Sequence, residues 1–362
     1  MSVERFPWPA MKIGILTLHR SINPGAFWQC FSTCQLLERM GHEVIVIDYV
    51  DFRHHFRDPF HEAKAPRNWF HPIRTARTVA AQIRHLRDLE LLPIGPAESA
   101  TSIEKLRLDA LIVGSDVVWR RPFDPVFWGL HSRCPRTIAY AASMGNHPWE
   151  KTDAPPFLFE PAPFSAISCR DSNTLSFLKK GDSSWSEKAV LVNDPTITLS
   201  VPDEYRTPIR GGGYCMLYYS RRMTVGDHLA VRRFASSRKL ELVSVFYPQH
   251  GMRNMTFLRS TDFMRLLLNA SIVVTNAFHG AVLARLHGVP VVFSYPRSGN
   301  PLKCADQFAA LGLEACTTHD FSDLEATATT GESLPDVETI RPALARANIG
   351  FLERSLAPME RP

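Results

Sequence analysis

The sequence predicts an α/β protein made of two Rossmann-like domains with a central cleft. Short apolar runs alternate with amphipathic helical stretches along most of the chain. The alternation runs twice, with a break near residue 205. The length of 362 residues also exceeds what one hydrophobic core usually supports.

The first unit opens with residues 12–18 (KIGILTL), an apolar run of the kind buried in parallel sheets. A turn at Asn23-Pro24-Gly25 leads into a helix over 26–40, with Phe27, Phe31, Cys34, Leu37 and Met40 at near-helical spacing. Gly41 ends it, and residues 43–48 (EVIVID) return as a strand. This is a β-α-β unit. Further strands are predicted at 109–114, 137–142, 165–168 and 189–192, with a helix over 172–180. The second unit reads as strands 214–219, 240–246, 271–275 and 289–293 with helices 225–238, 261–269, 277–288 and 301–312. An amphipathic stretch at 336–356 predicts a C-terminal helix crossing back over a domain. The expected boundaries are 11–204 for the first domain, 205–335 for the second and 336–362 for the helix and tail.

A hydrophobic content of 45% and a charged content of 21% are those of a soluble globular protein with material for two cores. A net charge of +5 is too mild for a dedicated nucleic-acid binder and suits an enzyme of anionic substrates. The positive charge is concentrated in an insertion at 53–92. Residues 53–87 hold eight Lys/Arg and five His against two acids. Such a stretch reads as a solvated helix face, or as a dock for an anionic or lipid-linked acceptor at a membrane surface. The seven cysteines form no CxxC pair and are expected as reduced thiols. Residues 1–10 lack the apolar stretch of a signal peptide, and the apolar run 271–294 is broken by Asn276, His279, Arg285 and His287. The expectation is a cytoplasmic protein, or one peripheral at the inner face of a membrane.

In doubly wound folds ligands bind at the carboxyl ends of the strands. The candidate residues are therefore those that follow each strand. They are Asn23 and Gly25, Ser115 and Asp116, Ser143, Arg170, and the run Asn276-Ala277-Phe278-His279-Gly280, with Arg297 and Lys303 beyond the last strand. His279 falls in the first turn of a helix, where free N–H groups favour phosphate or carboxylate. It can donate to an anion, exchange a proton, or simply pack at the junction. Arg170 can grip a carboxylate in bidentate fashion or pair with a nearby acid. Asp116 can orient a sugar hydroxyl, act as a base, or cap a turn. Trp119, Trp128 and Tyr140 read as a sugar-stacking face or as core. HExxH, CxxC and DxDxDG patterns are missing, so no metal is expected; GxGxxG and GxxxxGK[ST] are missing as well, which argues against dinucleotide and P-loop sites.

The ordered set of segments resembles the polysaccharide pyruvyl transferase family over about residues 11–315. MKIGILTLHRSINPGA and GHEVIVIDY are similar to that family's opening unit, and DALIVGSDVVW and IAYAASMG to its central motifs. Residues 166–171 (AISCRD), Asn193-Asp194-Pro195-Thr196, TNAFHG and GVPVVF follow in the family's order. The resemblance implies a glycosyltransferase-B-like pair of domains, phosphoenolpyruvate as donor with no bound cofactor, and a sugar or lipid-linked glycan acceptor. It implies His279 as the catalytic or phosphate-contacting histidine and Arg170 as a phosphoenolpyruvate contact. The chain departs from the family at Ala277, where other members carry a cation or hydroxyl, and at Pro24. Lys303 or Arg297 is the expected replacement for the missing partner. Two other readings remain: a nucleotide-sugar glycosyltransferase of the same architecture, for which Asp306 is the sole candidate acid, and an inactive carbohydrate-binding member.

Overall fold

The structure is a computed structural model that describes residues 9–21, 23–49, 87–95, 103–119, 125–130, 132–145, 156–207, 213–219, 223–256, 258–295, 302–319 and 321–358. The first half runs β1 (Lys12–Leu16), α1 (Pro24–Arg39), β2 (Glu43–Ile47), β3 (Ile94–Gly95), β4 (Ala110–Val113), β5 (Thr137–Ala142), β6 (Ala166–Cys169), α2 (Ser172–Leu178), α3 (Ser183–Lys188) and β7 (Ala189–Leu191). The second runs β8 (Tyr214–Tyr218), α4 (Val225–Ser237), β9 (Glu241–Val245), β10 (Arg253–Met255), α5 (Ser260–Leu268), β11 (Ile272–Thr275), α6 (Phe278–Leu286), β12 (Val291–Ser294), α7 (Ala305–Leu311), β13 (Thr317–Thr318), α8 (Leu324–Glu332) and α9 (Arg341–Leu356).

Two parallel sheets result, ordered β3-β2-β1-β4-β5-β6-β7 and β10-β9-β8-β11-β12-β13. Both reverse direction of winding at their middle, between β1 and β4 and between β8 and β11. Those reversals open the crevices where doubly wound sheets bind ligands. The central strands β4, β5, β8, β11 and β12 are buried along their whole length, which is why their sequences are unbroken apolar runs rather than alternating ones. The largest apolar cluster joins the two halves through Phe27 and Trp28 of α1, Phe263 of α5, Phe278 of α6 and Phe351 of α9. Trp28 Nε1 donates to Ser260 O across the halves at 3.0 Å.

Local chemistry sets the helix ends. Asn23 caps α1 by accepting from Gly25 N at 2.9 Å, with Pro24 in the first turn, and Asp171 caps α2 by accepting from Thr174 N at 2.8 Å. Helix α9 crosses back onto the first half. Phe351 stacks on Tyr140 at 6.1 Å and Ser355 O accepts from Arg136.

The structure adds elements that sequence pattern does not predict. Strands β3, β10 and β13 have two or three residues, too few for any periodicity. Helix α8 is rich in Thr and contains Gly331, a poor helix by propensity. It forms because it packs on β12: a β-carbon at Gly331 would sit 2.6 Å from Val291 O. The expected helix 301–312 divides into a 3-10 turn, Leu302–Cys304, and α7. Of the basic insertion, residues 53–86 lie outside the described residues, and the last part forms the turn Leu89–Leu91. Trp119, Trp128 and Tyr140 are all fully buried, with Trp119 stacked on Trp128 at 4.7 Å, so they are core rather than a sugar-stacking face.

Candidate active site

The carboxyl ends of the two sheets converge on His279. It is the second residue of α6, which is separated from β11 only by Asn276 and Ala277. Its Nε2 lies 3.3 Å from Asp194 Oδ2, and the residue is only 5% exposed. The ring's other edge lies against the first turn of α1. A β-carbon placed on Gly25 would stand 2.1 Å from His279 Nδ1, so only glycine permits this approach. Gly280 serves the same end, since a β-carbon there would meet Thr275 Oγ1 at 2.6 Å and Tyr218 Cδ1 at 2.7 Å. Tyr218 in turn donates to Asn23 Oδ1 at 3.3 Å. Asn23, Gly25, Phe278, His279 and Gly280 are thus brought to one place.

Asp194 follows β7 and has no exposed surface. Its Oδ2 also accepts from Arg170 Nη1 at 2.6 Å, and its Oδ1 accepts from Thr196 N and Oγ1. Arg170 follows β6 and reaches back to Asp116 Oδ1 with Nη2 at 3.2 Å, while its guanidinium lies 5.3 Å from the centre of the Phe278 ring. Arg170 is 2% exposed. Its guanidinium is turned to Asp194 and Asp116, two internal carboxylates, and so acts first as their common counter-charge. Asp116 has φ +72, in the left-handed region, where Asp is one of the few tolerated residues.

The electrostatics follow from this packing. Burial pushes the Asp194 carboxyl up, but the His279 and Arg170 charges and the hydrogen bonds of His279 and Thr196 outweigh it and hold the group well below the usual carboxylate range. For Arg170 burial opposes the charge, and Asp194, Asp116 and Asp171 outweigh it, so its pKa is raised. Asp171 is different: burial dominates and raises its carboxyl, despite hydrogen bonds from Ser143 and Thr174.

The remaining expected residues take varied places. Ser115 is buried and donates to Ala141 O at 2.9 Å, and Ser143 Oγ accepts from Gly145 N at 3.0 Å. Both hold strand-end loops in shape. Asn276 is half-buried and its N–H points at Tyr218 O. Ala277 is the N-cap of α6 and offers no side-chain acceptor to the first-turn N–H groups. Lys303 lies half-buried in the turn before α7, and Arg297 lies outside the described residues. Asp306 accepts from Ser172 N at 2.7 Å. Among the described residues no cluster of His, Cys, Asp or Glu could hold a metal ion, and no helix is long and apolar enough to cross a membrane.

Sequence reasoning did not single out Asp194, Tyr218, Gln307 or Asn348. Asp194 was within reach, because Asn193-Asp194-Pro195-Thr196 closes a strand. Gln307 and Asn348 sit within helices α7 and α9, where nothing local distinguishes them from solvated polar positions.

The fold has known counterparts. The chain is similar to a structure described as a putative UDP-N-acetylglucosamine 2-epimerase from Listeria monocytogenes, with a TM-score of 0.55 and 14% identity over 98% of this chain and 99% of that one. A UDP-GlcNAc 2-epimerase from Neisseria meningitidis bound to UDP-GlcNAc gives a TM-score of 0.48 and 10% identity over 95% and 97%. A glycosyltransferase from Rickettsia africae ESF-5 gives 0.43 and 11% over 96% and 100%. The first likeness speaks for the fold alone, the glycosyltransferase-B architecture of two facing Rossmann-like units. No curated protein matches the chain. A family model described as polysaccharide pyruvyl transferase matches residues 23–297, from the cap of α1 past the end of β12. That span covers well over half of the sequence and contains His279, Asp194, Arg170 and Asp116, and the chain belongs to the polysaccharide pyruvyl transferase family.

Proposed function

We propose that the chain transfers the pyruvyl group of phosphoenolpyruvate to two hydroxyls of one sugar in a glycan, forming a cyclic ketal and releasing phosphate. The observation that carries this reading is the His279–Asp194 pair at the meeting of both sheets, inside the span matched by the family. The carboxylate on Nε2 fixes the orientation of the ring, and the imidazole is the group at this place suited to exchange a proton.

In this mechanism His279 protonates the methylene carbon, and C2 becomes cationic. A sugar hydroxyl adds to C2 and gives up its proton, which restores the histidine. The C2–O bond to phosphate then breaks, and the phosphate leaves. A second hydroxyl of the same sugar closes the ring at C2, and its proton goes to the departing phosphate. One hydroxyl proton thus ends on the new methyl group and the other on phosphate. Fixed positive charge toward the phosphate supplies the main stabilisation. The N–H groups at the start of α6 and the side chain of Lys303 supply it here, and Arg170 acts indirectly by setting the charge of Asp194 and Asp116.

Phosphoenolpyruvate is a cytoplasmic metabolite, so this reading places the chain in the cytoplasm, with residues 53–92 contacting a lipid-linked acceptor at the membrane face. Incubation of the purified chain with phosphoenolpyruvate and candidate glycans should release phosphate and add the mass of pyruvate less one water. Turnover of nucleotide-sugars with none of phosphoenolpyruvate would overturn the proposal in favour of a glycosyltransferase. Glycan affinity that survives His279→Ala, with no turnover of either donor by the native chain, would mark a binding protein.

A further inference from the structure

Asp194 belongs to the first half of the chain, yet its backbone is held by the second. Asn193 and Asp194 together carry four backbone polar groups. Asn193 N donates to Asn348 Oδ1 at 3.0 Å, and Asn193 O accepts from Asn348 Nδ2 at 2.8 Å. Asp194 N donates to Gln307 Oε1 at 2.9 Å. Only Asp194 O is satisfied locally, by Ile197 N at 3.0 Å. Asn348 Nδ2 also donates to Tyr140 OH at 2.8 Å, and Asn193 Nδ2 donates to Leu344 O. Asn348 has no exposed surface and Gln307 has 2%. Gln307 Nε2 finds no partner among the described residues, so the contact with Asp194 N is what orients this amide.

The burial of these amides is informative. A buried Asn or Gln is tolerated where its hydrogen bonds are made. These two make theirs to the backbone on which the histidine's carboxylate stands. The residue before Gln307 repeats the pattern, since Asp306 accepts from Ser172 N beside Arg170. The start of α7 therefore grips the start of α2, which follows β6, and the loop after β7, and α9 grips that loop from another side.

We propose that Asn348 and Gln307 are positioning residues for His279: by fixing the 193–194 backbone from the second half, they place the Asp194 carboxylate on the imidazole. The catalytic pair is then complete only when α7 and α9 are docked on the first sheet. This inference rests on the pyruvyl transfer reading for its kinetic consequence but not for its structural one. An error of about 1 Å in such a group lowers turnover by about 100-fold, because proton transfer needs an aligned donor.

The test uses the full chain with Asn348→Ala and Gln307→Met. Aspartate carboxyl carbons labelled with 13C are followed by NMR against pH, with Asp194 assigned through Asp194→Asn. In both variants the Asp194 carboxyl should titrate closer to the ordinary carboxylate range than in the native chain. Turnover should fall 10- to 100-fold while the KM for phosphoenolpyruvate stays within about twofold. An Asp194 titration unchanged in both folded variants, or a lower melting temperature with native turnover, would overturn the proposal. If Asn348→Ala does not fold, Gln307→Met decides the matter alone. If the native chain proves to lack pyruvyl transfer activity, the NMR arm still decides, because it needs no substrate.

Discussion

The two ends of α6 carry a histidine each, His279 in the first turn and His287 as the C-cap, and their surroundings are opposite. At the first end buried charges are paired with one another. Asp194 faces His279 and Arg170, and Arg170 faces Asp116 as well. At the other end a cavity of about 190 Å³ is lined by His287, Arg39, Arg206 and Arg341, with Asp203 and Glu338. His287 is partly exposed as a residue, but its Nε2 is shielded from solvent and has no partner among the described residues. Burial and the charges of Arg341 and Arg206 push its pKa down to about 3. The same residue type on the same helix thus faces a carboxylate at one end and is held neutral at the other. Partners, rather than helix position, make the difference.

The arginines at the second end have a structural task. Arg39 donates to Gln35 O and Thr198 O, and Arg341 donates to Ile197 O, Leu199 O and Leu286 O. They satisfy carbonyls at the ends of α1 and α6 and along the chain that leaves the first sheet. The charge at this end holds mainly backbone, with one side-chain pair from Arg341 Nη1 to Glu338 Oε1 at 3.0 Å, and the charge at the other end holds side chains.

The largest expected effect breaks the paired end. Asp194→Asn leaves Arg170 with one close carboxylate and His279 with none. Turnover should fall on the order of 10³-fold or more, as when a histidine loses its orienting carboxylate. Stability should fall by about 3–5 kcal/mol, read by chemical denaturation, because a buried charge loses its partner. Turnover within tenfold of native would show that the pair is structural only.

Next in size is Gly25→Ala. Its new β-carbon must displace the His279 ring or the start of α1, which should destabilise the chain by about 1–3 kcal/mol. It should lower turnover by more than that loss of fold predicts, measured at a temperature where both proteins stay folded.

His287→Phe sharpens the contrast through pH. The folded state keeps His287 neutral down to about pH 3, while the unfolded chain takes up its proton below its ordinary value of 6.5. Its contribution to stability is therefore complete above pH 6.5 and is lost as pH falls from there toward 3. The slope approaches but does not exceed about 1.4 kcal/mol per pH unit. In the variant that slope should disappear from denaturation curves taken between pH 6.5 and 4, with turnover near neutral pH unchanged. A slope of the same size in both proteins would assign the acid lability to other groups. Asp194 and Asp48, both held below the usual range, act with the same sign but below pH 4.

The smallest effect is a control far from both ends. Thr224 caps α4 by accepting from Asp227 N at 3.1 Å. Thr224→Ala should cost about 1 kcal/mol in melting experiments and leave turnover unchanged.

Much of the architecture was legible before any coordinates. The long buried strands β4, β5, β8, β11 and β12 declare themselves as apolar runs, and Asn23 with Pro24 marks the start of α1. Strand β12 was placed two residues early at its start because Val289-Pro290 extends the apolar run, although Pro290 gives up its carbonyl to Val273 N outside the strand proper. The short edge strands and α8 were illegible, since only their packing on β2, β9 and β12 makes them regular. Within the site, His279 and Arg170 could be picked out because each follows a strand end. Their relation could not.

The sequence by itself determined the alternation of strands and helices, the two windings and the small polar residues at the strand ends. Apolar periodicity and capping act over a few residues, so they can be read locally. Only the tertiary structure decided that Arg170 meets Asp194 and Asp116, 24 and 54 residues away, and that His279 meets Asp194 across 85. Buried charges must find partners through space, and which partner each one finds depends on how the two sheets dock.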